Sequence, residues 1–412
     1  MEIRINSEQL YGELEKLASF SDAPPPAVTR IVFSKTDLAA RAYIKELCRA
    51  ADLVIREDAV GNMFARWPGS ELGLPAIGTG SHTDAIPHAG LFDGTVGVLG
   101  GLEAIRALQR AGHKPRRSIE LVMFTSEEPT RFGIGCLGSR LLSGSLTVER
   151  ARSLKDRDGR SLDDVRAAAG FTGSLDDVIL PRDYYDTFLE LHVEQGPVLE
   201  QRNIPVGVVT AIAAPASLRM QIEGEGGHAG TVLMPQRHDA FLAAAEISLA
   251  LEAAAKSTGA TDTVATVGVC DVFPGAVNGI PSRVKLEIDV RDIDLSRRDF
   301  VLQALHRTCG EVTKQRGVQI RTEILNADPP AQSSRSAVDA VIQACTELEI
   351  QCLPMVSRAY HDSLFMSRIT QIAMVFVRCR AGVSHRPDEY SSPEDIGLGT
   401  KVLAKTLARL SL

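Results

Sequence analysis

The sequence lacks the features that define several large classes of protein. Its seven cysteines are scattered, odd in number and without a C-x-x-C pair, which argues against a disulfide framework and indicates reduced thiols. No apolar run reaches the ~18 residues of a membrane span. The charged, amphipathic start of the chain contains no apolar stretch typical of a signal peptide. The sequence therefore predicts a cytoplasmic protein with no membrane partner.

A basic stripe is also missing, and the formal net charge is −7. Both observations argue against nucleic acid as a partner. Low-complexity segments and repeats of solenoid period are absent as well. What the chain does have is length and apolar content: 412 residues, 44% of them hydrophobic, exceed one typical compact domain. Two domains with sizeable cores are expected.

The first half of the chain alternates strand and helix patterns. A buried strand pattern runs into the polar loop at 81–84, a helix is predicted over 96–112, and a second apolar strand ends at 124–128. Strand, helix and strand in this order predict a parallel α/β sheet. In such sheets, chemistry gathers beyond the carboxyl ends of the strands.

The composition changes between about 210 and 325. Leu218, Met220 and Ile222 alternate with polar neighbours, which suits a sheet with one open face. Further strand and helix patterns follow in a ββ-and-helix order, and the α/β pattern resumes after 335. This arrangement predicts a small α+β domain inserted into a larger α/β domain.

Side chains that can hold metal ions follow the predicted strands. His82 and Asp84 share a face of an extended segment, where the carboxylate can hold a metal-binding imidazole in one tautomer. Asp93 follows in a turn-like Phe-Asp-Gly sequence. Glu127 and Glu128 are adjacent carboxylates whose repulsion a cation would relieve, leaving one free to take a proton from water. Taken singly, each segment is equally typical of an ordinary polar loop.

Two further histidines complete the pattern. His192 stands at a third strand end, and His385 lies in a loop before the terminal helix. Alone, the first would more often be a structural histidine and the second a surface residue. Together, the imidazoles and carboxylates suit a pair of borderline divalent ions such as Zn²⁺ or Mn²⁺. Because no cysteine shares the pattern, a thiolate site is not expected.

Seven stretches of the chain resemble one enzyme family. They span residues 79–390 in the family's order and are GSHTDAIPHAGLFDGTVGVLGGLEAI, FTSEEPTRFGIGCLGSRLL, LELHVEQGPVLE, GEGGHAGT, FPGAVNGIPSRVKLEIDVRD, YHDSLFM and GVSHRPDEY. They resemble the metal-dependent amidohydrolases and peptidases related to aminoacylases, within them the group of allantoate amidohydrolase and N-carbamoyl-amino-acid hydrolase. The resemblance implies an α/β fold with a mixed-sheet, metallopeptidase-like catalytic domain (1–210 and 326–412) and an inserted smaller α+β dimerisation (lid) domain (211–325).

The same resemblance implies two divalent metal ions and their ligands. Mn²⁺ is expected in the cell, with Zn²⁺, Ni²⁺ or Co²⁺ as alternatives. The five implied ligands, with Asp93 bridging, are His82, Asp93, Glu128, His192 and His385. Asp84 would orient His82, and Glu127 would be the general base that deprotonates the bridging water and later protonates the leaving nitrogen.

The resemblance further implies a small acidic ureido substrate and a homodimer with shared active sites. His228 would reach the partner subunit's site and stabilise the oxyanion; from the residues alone, a hairpin-turn role is preferred. Asn278 and Arg291 would bind the substrate carboxylate, for which the arginine fork is suited. Gln195 and His361 would contact the amide or ureido end.

Two departures from the wider group indicate a narrower activity. Tyr360 stands where glycine usually precedes the His-Asp pair, and Asp84-Ala85-Ile86-Pro87 replaces a common Asp-Thr-Val. Both are similar to the branch that cleaves ureidoglycolate to glyoxylate, ammonia and carbon dioxide in purine breakdown. The alternatives are cleavage of allantoate or of an N-carbamoyl-L-amino acid. An alternative from another functional class is a non-catalytic binding protein with this scaffold. The spare carboxylate of Glu127 argues against that alternative.

Overall fold

The computed structural model describes residues 2–412, which form two compact units. The first unit runs to Thr210 and resumes at Gln332, and the second spans Ala211–Ala331. The boundary predicted at 325/326 is wrong, because it cuts the strand Gln319–Ala327. That strand is hydrogen-bonded along its length to Ala214–Glu223, so it belongs to the sheet of the second unit.

The helices of the described residues follow the expected local signals. Ser392 accepts a hydrogen bond from the Asp395 N–H and precedes Pro393, so the terminal helix starts where the sequence predicts it. In chain order, the helices are α1 (Ser7–Ala18), α2 (Lys35–Ala50), α3 (Thr95–Arg110), α4 (Leu137–Leu142), α5 (Val148–Ser153), α6 (Leu162–Ala168), α7 (Val198–Arg202), α8 (Ala240–Ser257), α9 (Leu295–Arg316), α10 (Arg335–Glu347), α11 (Asp362–Met366) and α12 (Pro393–Leu410).

The strands form one large sheet and three smaller ones. In chain order, they are β1 (Val28–Arg30), β2 (Val54–Glu57), β3 (Met63–Trp67), β4 (Ala76–His82), β5 (Ala85–Ala89), β6 (Ile119–Phe124), β7 (Tyr185–Val193), β8 (Val206–Ile212), β9 (Ala214–Glu223), β10 (Gly227–His228), β11 (Val264–Phe273), β12 (Gly279–Ile280), β13 (Arg283–Asp292), β14 (Gln319–Ala327), β15 (Ala331–Gln332), β16 (Cys352–Ser357) and β17 (Gln371–Val377).

The large sheet is mixed, as the family resemblance implied, and its central part is parallel, as the order of strand, helix and strand predicted. Its order is β15-β8-β17-β7-β4-β6-β3-β2, with β16 paired to β8. The four central strands, β17, β7, β4 and β6, are parallel, and antiparallel strands flank them on both sides. Strands β4 and β6 are buried at every residue, as expected for central strands of a sheet covered on both faces. The carboxyl ends of the central strands therefore lie at one edge of the sheet.

The second unit is an antiparallel sheet covered on one face by two helices. The order of its four strands is β11-β13-β9-β14. Along β13 buried and half-exposed residues alternate, and the buried ones, such as Leu286 and Ile288, share one apolar core with residues of α8 and α9. This is the α+β arrangement expected from the alternation of Leu218, Met220 and Ile222. A two-residue ladder, β10 with β12, forms a separate small sheet.

Within residues 2–412, no helix combines the length and apolar character needed to cross a membrane.

Candidate metal centre

Three neighbouring parallel strands deliver the first residues of the site. His82 is the last residue of β4, Glu127 and Glu128 follow β6 by a few residues, and His192 lies one residue before the end of β7. Because β7, β4 and β6 are adjacent and parallel, these side chains meet at one edge of the sheet. All four are buried, with 2% of His82 exposed.

Asp93, in the loop between β5 and α3, lies at the centre of this cluster. Its Oδ1 is 3.2 Å from His192 Nε2 and 3.7 Å from His82 Nε2. Its other oxygen, Oδ2, is 3.0 Å from His385 Nε2. One carboxylate thus presents each of its oxygens to a different set of imidazoles, which is the geometry of a bridging ligand.

The candidate ligand atoms fall into two groups that share this aspartate. One group is Asp93 with His82 and His192, and the other is Asp93 with Glu128 and His385. In each group the ligand atoms lie within 4.8 Å of one another. A third group, Glu190 with His192 and His361, is engaged otherwise: the Glu190 oxygens accept hydrogen bonds from the Ser81 hydroxyl and the Ser363 N–H.

The two adjacent glutamates face different partners. Glu128 Oε1 lies 3.3 Å from His385 Nε2. Glu127 belongs to none of the ligand groups found among residues 2–412. Its Oε1 accepts a hydrogen bond from the Cys136 thiol at 3.2 Å, and its Oε2 lies 3.7 Å from His82 Nε2. Glu128 therefore lies within the ligand cluster, whereas Glu127 lies beside it.

Asp84 lies beside His82, the residue it is predicted to orient, and also has two backbone partners that the sequence did not indicate. Its Oδ1 accepts a hydrogen bond from the Glu127 N–H at 3.1 Å, and its Oδ2 accepts one from the Glu128 N–H at 3.0 Å. His82 Nδ1 lies 3.0 Å from the backbone oxygen of Asp84 and 3.7 Å from its carboxylate. Because the chain turns after β4, the backbone oxygen orients the imidazole, while the carboxylate fixes the glutamate loop.

The pKa values of the carboxylates are shifted in opposite directions: upward for the two glutamates and downward for Asp93. Burial raises the pKa of Glu127 well above its usual value, and the charges of Glu128 and Asp362 raise it further. Burial and the charge of Asp93 raise the pKa of Glu128 to about 7. For Asp93, burial acts upward, but hydrogen bonds from three imidazoles hold its pKa well below the usual range.

The imidazoles show the complementary shift. Burial acts to lower the pKa of His82, but the charge of Glu127 and a hydrogen bond to Asp93 raise it well above 6.5. The hydrogen bond to Asp93 raises the pKa of His385 to about 9. Concentrated negative charge thus draws protons onto the ligand nitrogens. Nitrogen and oxygen donors without thiolate fit two divalent ions of the Mn²⁺ or Zn²⁺ type.

The predicted substrate residues of the first unit lie beside this cluster. Gln195 donates from Nε2 to Asp93 Oδ2 at 2.9 Å, whereas its Oε1 is buried and has no hydrogen-bond partner. His361 packs edge-on against His192, with ring centroids 4.5 Å apart, and its Nε2 lies 2.8 Å from the Ser357 hydroxyl. Burial lowers the pKa of His361 well below its usual value, so the ring is neutral.

Tyr360 is half-buried, and its ring centroid lies 6.1 Å from that of Phe365. The Arg140 guanidinium is 6.0 Å from the Tyr360 ring and 4.1 Å from the Phe365 ring. The phenol therefore belongs to an aromatic and cationic cluster at the start of α11.

The remaining predicted residues lie in the second unit. His228 is exposed, and its Nδ1 accepts a hydrogen bond from the Gly230 N–H at 3.0 Å. Asn278 is exposed one residue before β12, and its backbone oxygen accepts the Ala229 N–H. Arg291, on β13, is half-buried and donates to Asp289 at 2.8 Å. His228 and Asn278 thus share one small ladder.

Comparison with known proteins identifies the family. The model of peptidase family M20/M25/M40 matches residues 78–409, which include every predicted site residue. The chain belongs to this family. M20/M25/M40 membership agrees with the mixed sheet and with the clustered ligand side chains.

Relatives of this M20/M25/M40 chain are similar over nearly its whole length. A ureidoglycolate hydrolase of Oryza sativa subsp. japonica is 54% identical over 99% of this chain and 85% of its own length. The crystal structure of AtUAH in complex with glyoxylate is 50% identical, covers 99% of this chain and 98% of that one, and has a TM-score of 0.87. An N-carbamoyl-L-amino-acid amidohydrolase of a Pseudomonas species is 36% identical over 99% of both chains. The chain is a hydrolase that acts on C–N amide bonds.

Sequence reasoning missed several residues that the fold brings to the site. Cys136 contacts Glu127, and Glu389 accepts hydrogen bonds from the Asp93 loop. Asp362 is fully buried; its Oδ1 accepts from the Ser139 hydroxyl at 2.5 Å, and burial raises its pKa to about 8. The motif GVSHRPDEY contains Glu389, but the spacing of residues within an irregular loop does not indicate which distant loop a carboxylate will bind.

Proposed function

We propose that this chain hydrolyses ureidoglycolate at a site that holds two divalent metal ions. The observation that carries the proposal is the pair of ligand groups joined by Asp93, beside a glutamate, Glu127, that belongs to neither group. A bridging carboxylate can hold two ions and a spare carboxylate can take a proton from water, so the pair suits metal-assisted hydrolysis. The similarity to ureidoglycolate hydrolases supports the choice of substrate.

The candidate ligands form two sets, one for each ion. His82 and His192 would hold one ion, Glu128 and His385 the other, and Asp93 both. Mn²⁺ suits these mixed nitrogen and oxygen donors, as do Zn²⁺, Ni²⁺ and Co²⁺. When bound, the ions would polarise the ureido carbonyl and lower the pKa of a water molecule.

Glu127 is the general base of the proposed reaction. Its Oε1 is engaged by the Cys136 thiol, which leaves Oε2, on the side of His82, to accept a proton from the attacking water. Burial raises the pKa of Glu127, so it is a stronger base than an exposed glutamate. The proton then passes from Glu127 to the leaving nitrogen.

The proposed reaction balances with a single water molecule. Water adds to the ureido carbonyl carbon, and the bond from that carbon to the terminal nitrogen breaks, which releases one ammonia molecule and leaves a carbamic acid. The carbamic acid loses carbon dioxide to give hydroxyglycine, whose C–N bond breaks to release glyoxylate and the second ammonia molecule. Glyoxylate is also the molecule bound in the similar AtUAH structure.

Contacts to the ureido group come from the first unit. The buried, unpartnered Oε1 of Gln195 is an acceptor that a ureido N–H would satisfy, while Nε2 of the same side chain holds Asp93. His361 would contact the same end of the substrate. The Tyr360 phenol would hydrogen-bond the substrate hydroxyl and fill the space that a second ureido group requires.

The second unit would complete the site within a homodimer. Arg291 and Asn278 would bind the substrate carboxylate, and His228 would stabilise the oxyanion in the site of the partner subunit. The exposure of His228 and Asn278 on one small ladder supports this role, because both side chains are accessible to another subunit.

A substrate panel tests the proposal. Ammonia release is measured with ureidoglycolate, allantoate and N-carbamoyl-L-amino acids, after chelation and again after addition of Mn²⁺. We expect turnover of ureidoglycolate, its loss on chelation and its return with Mn²⁺. If allantoate or a carbamoyl amino acid is turned over faster, that compound replaces ureidoglycolate as the assigned substrate. Full activity in a metal-free sample would refute the two-ion site.

The adjacent glutamates provide a matched pair of variants. Glu127→Gln removes the proton acceptor, so the rate should fall at least ~10²-fold, while two ions per chain remain bound. Glu128→Gln should instead reduce the metal content. If Glu127→Gln loses its metal and Glu128→Gln keeps it, the two roles are reversed.

A further inference from the structure

Glu389 is a buried carboxylate between two loops that bear ligands of the candidate metal centre. It lies in the segment between β17 and α12 and is 4% exposed. It belongs to none of the ligand groups found among residues 2–412. No step of the proposed reaction uses it.

Its two oxygens reach the two loops separately. Oε1 accepts hydrogen bonds from the backbone N–H groups of Phe92 at 2.8 Å and Asp93 at 3.1 Å. Oε2 accepts one from the Ser384 hydroxyl at 2.7 Å, and Ser384 directly precedes His385. A single side chain thus joins loops that are almost 300 residues apart in sequence.

The packing around Glu389 permits little movement. A Cβ atom on Gly90 would come within 2.3 Å of the Glu389 Cβ, so the Asp93 loop passes directly over this side chain. The Ser384 hydroxyl also lies 3.2 Å from Asp93 Oδ2, the oxygen that faces His385. The contacts of Glu389 therefore converge on one side of the shared aspartate.

We infer that Glu389 is a positioning residue that fixes Asp93 and His385 for the ion held with Glu128. The inference rests on the proposed two-ion site. Partners of this kind set the orientation of metal ligands, and their removal typically weakens metal binding about 10- to 100-fold. The ion held by His82 and His192 should be affected less, because Glu389 contacts neither histidine.

The test is calorimetric titration of the full chain, stripped of metal, with Mn²⁺. For Glu389→Ala, we expect one of two ions to bind about 10- to 100-fold more weakly. Glu389→Gln should bind nearly as the parent does, because its amide oxygen can accept both backbone N–H groups while its NH₂ donates to the Ser384 hydroxyl. Glu103→Gln is the control: Glu103 is equally buried and accepts hydrogen bonds from the Asn6 N–H and Arg110, away from the site.

A second variant keeps the test decisive if Glu389→Ala does not fold. Ser384→Ala removes the link from Glu389 to the His385 loop, together with the weaker contacts of the hydroxyl to Asp93 and Gln195, and should also weaken one ion. Binding of both ions at parental strength by a folded Glu389→Ala chain, or by Ser384→Ala in its place, would overturn the inference and leave the two-ion proposal intact. A parent chain that binds fewer than two ions would overturn the proposal and the inference together.

Discussion

The substitution Asp84→Asn isolates the role of a carboxylate that contacts no substrate. The two oxygens of Asp84 accept from two different backbone groups, the N–H of Glu127 and the N–H of Glu128, and 1% of the residue is exposed. Asparagine is nearly the same size but has one acceptor oxygen. Its NH₂ group must therefore face one of the two N–H donors, at a position where only 1% of the residue is exposed to solvent.

The size of the effect follows from these contacts. A hydrogen bond to a charged group contributes about 1.5–3 kcal/mol, and a buried N–H left without an acceptor costs about 1–3 kcal/mol. Burial raises the pKa of Asp84, so removal of the charge offsets part of this loss. We expect a net loss of about 2 kcal/mol, which lowers the melting temperature by roughly 4–8 °C in a domain of this size.

Turnover should fall as well, because the N–H group that loses its acceptor belongs to Glu127 or Glu128, in the loop that carries the base Glu127. A misplacement of about 1 Å can cost ~10² in rate, so we expect a decrease of about 10- to 100-fold in kcat. The assays are thermal unfolding of the metal-free chain and ammonia release with Mn²⁺.

Asp156→Asn is a matched control for this prediction. Asp156 is also a buried aspartate that accepts two backbone N–H groups, but both bond to the same oxygen, Oδ1, while Oδ2 pairs with the Arg131 guanidinium at 3.3 Å. The asparagine oxygen can therefore keep both backbone bonds. Only the pair with Arg131 is weakened, so turnover should fall far less than for Asp84→Asn. If Asp84→Asn melts and turns over like the parent chain, the Asp84 carboxylate does not position the glutamate loop.

Three further predictions concern pH, subunits and substrate. The pKa of His385 is raised to about 9, so its proton stabilises the metal-free fold below pH ~6.5, and that contribution is lost as the pH rises through 9. Because Mn²⁺ must displace this proton, the affinity for Mn²⁺ should rise over the same pH range. Calorimetry in buffers of different ionisation enthalpy measures the proton release. Constant affinity between pH 6 and 8 would contradict this. Mixing inactive His228→Ala with inactive Glu127→Gln chains should restore part of the activity, because one site of the mixed dimer has both groups; no recovery despite demonstrated subunit exchange would place His228 in its own chain's site or in a structural role. Tyr360→Phe should lower ureidoglycolate turnover, and Tyr360→Gly should shift preference towards bulkier ureido acids; an unchanged panel would mean that the ring only packs beneath the loop.

The sequence alone predicted the central strands, the longer helices and most of the side chains that the fold gathers at the candidate metal centre. Short buried-strand patterns ending in polar loops predicted β4 and β6, and the Ser392-Pro393 start predicted α12, because these signals are local properties of a segment. His82 and His192 could be predicted because parallel strands place their carboxyl ends at one edge, whatever the loops between them do. The two-unit organisation followed from a change in alternation pattern.

Only the tertiary structure decided how neighbouring polar residues divide their roles. Glu127 and Glu128 are equivalent in sequence, and their different partners depend on Cys136 and His385, which reach them from other parts of the chain. The boundary predicted at 325/326 was wrong for a similar reason, since the end of β14 is set by its hydrogen bonds to β9.

Glu389 could not be found from the sequence either. Its backbone partners, Phe92 and Asp93, lie almost 300 residues away in the chain, and one glutamate in an irregular loop has no periodicity that marks it. Local pattern is fixed by which face of a segment is buried, and the sequence records that directly. The choice of hydrogen-bond partner for a buried charge depends instead on which distant backbone groups the folded chain leaves within about 3 Å of it.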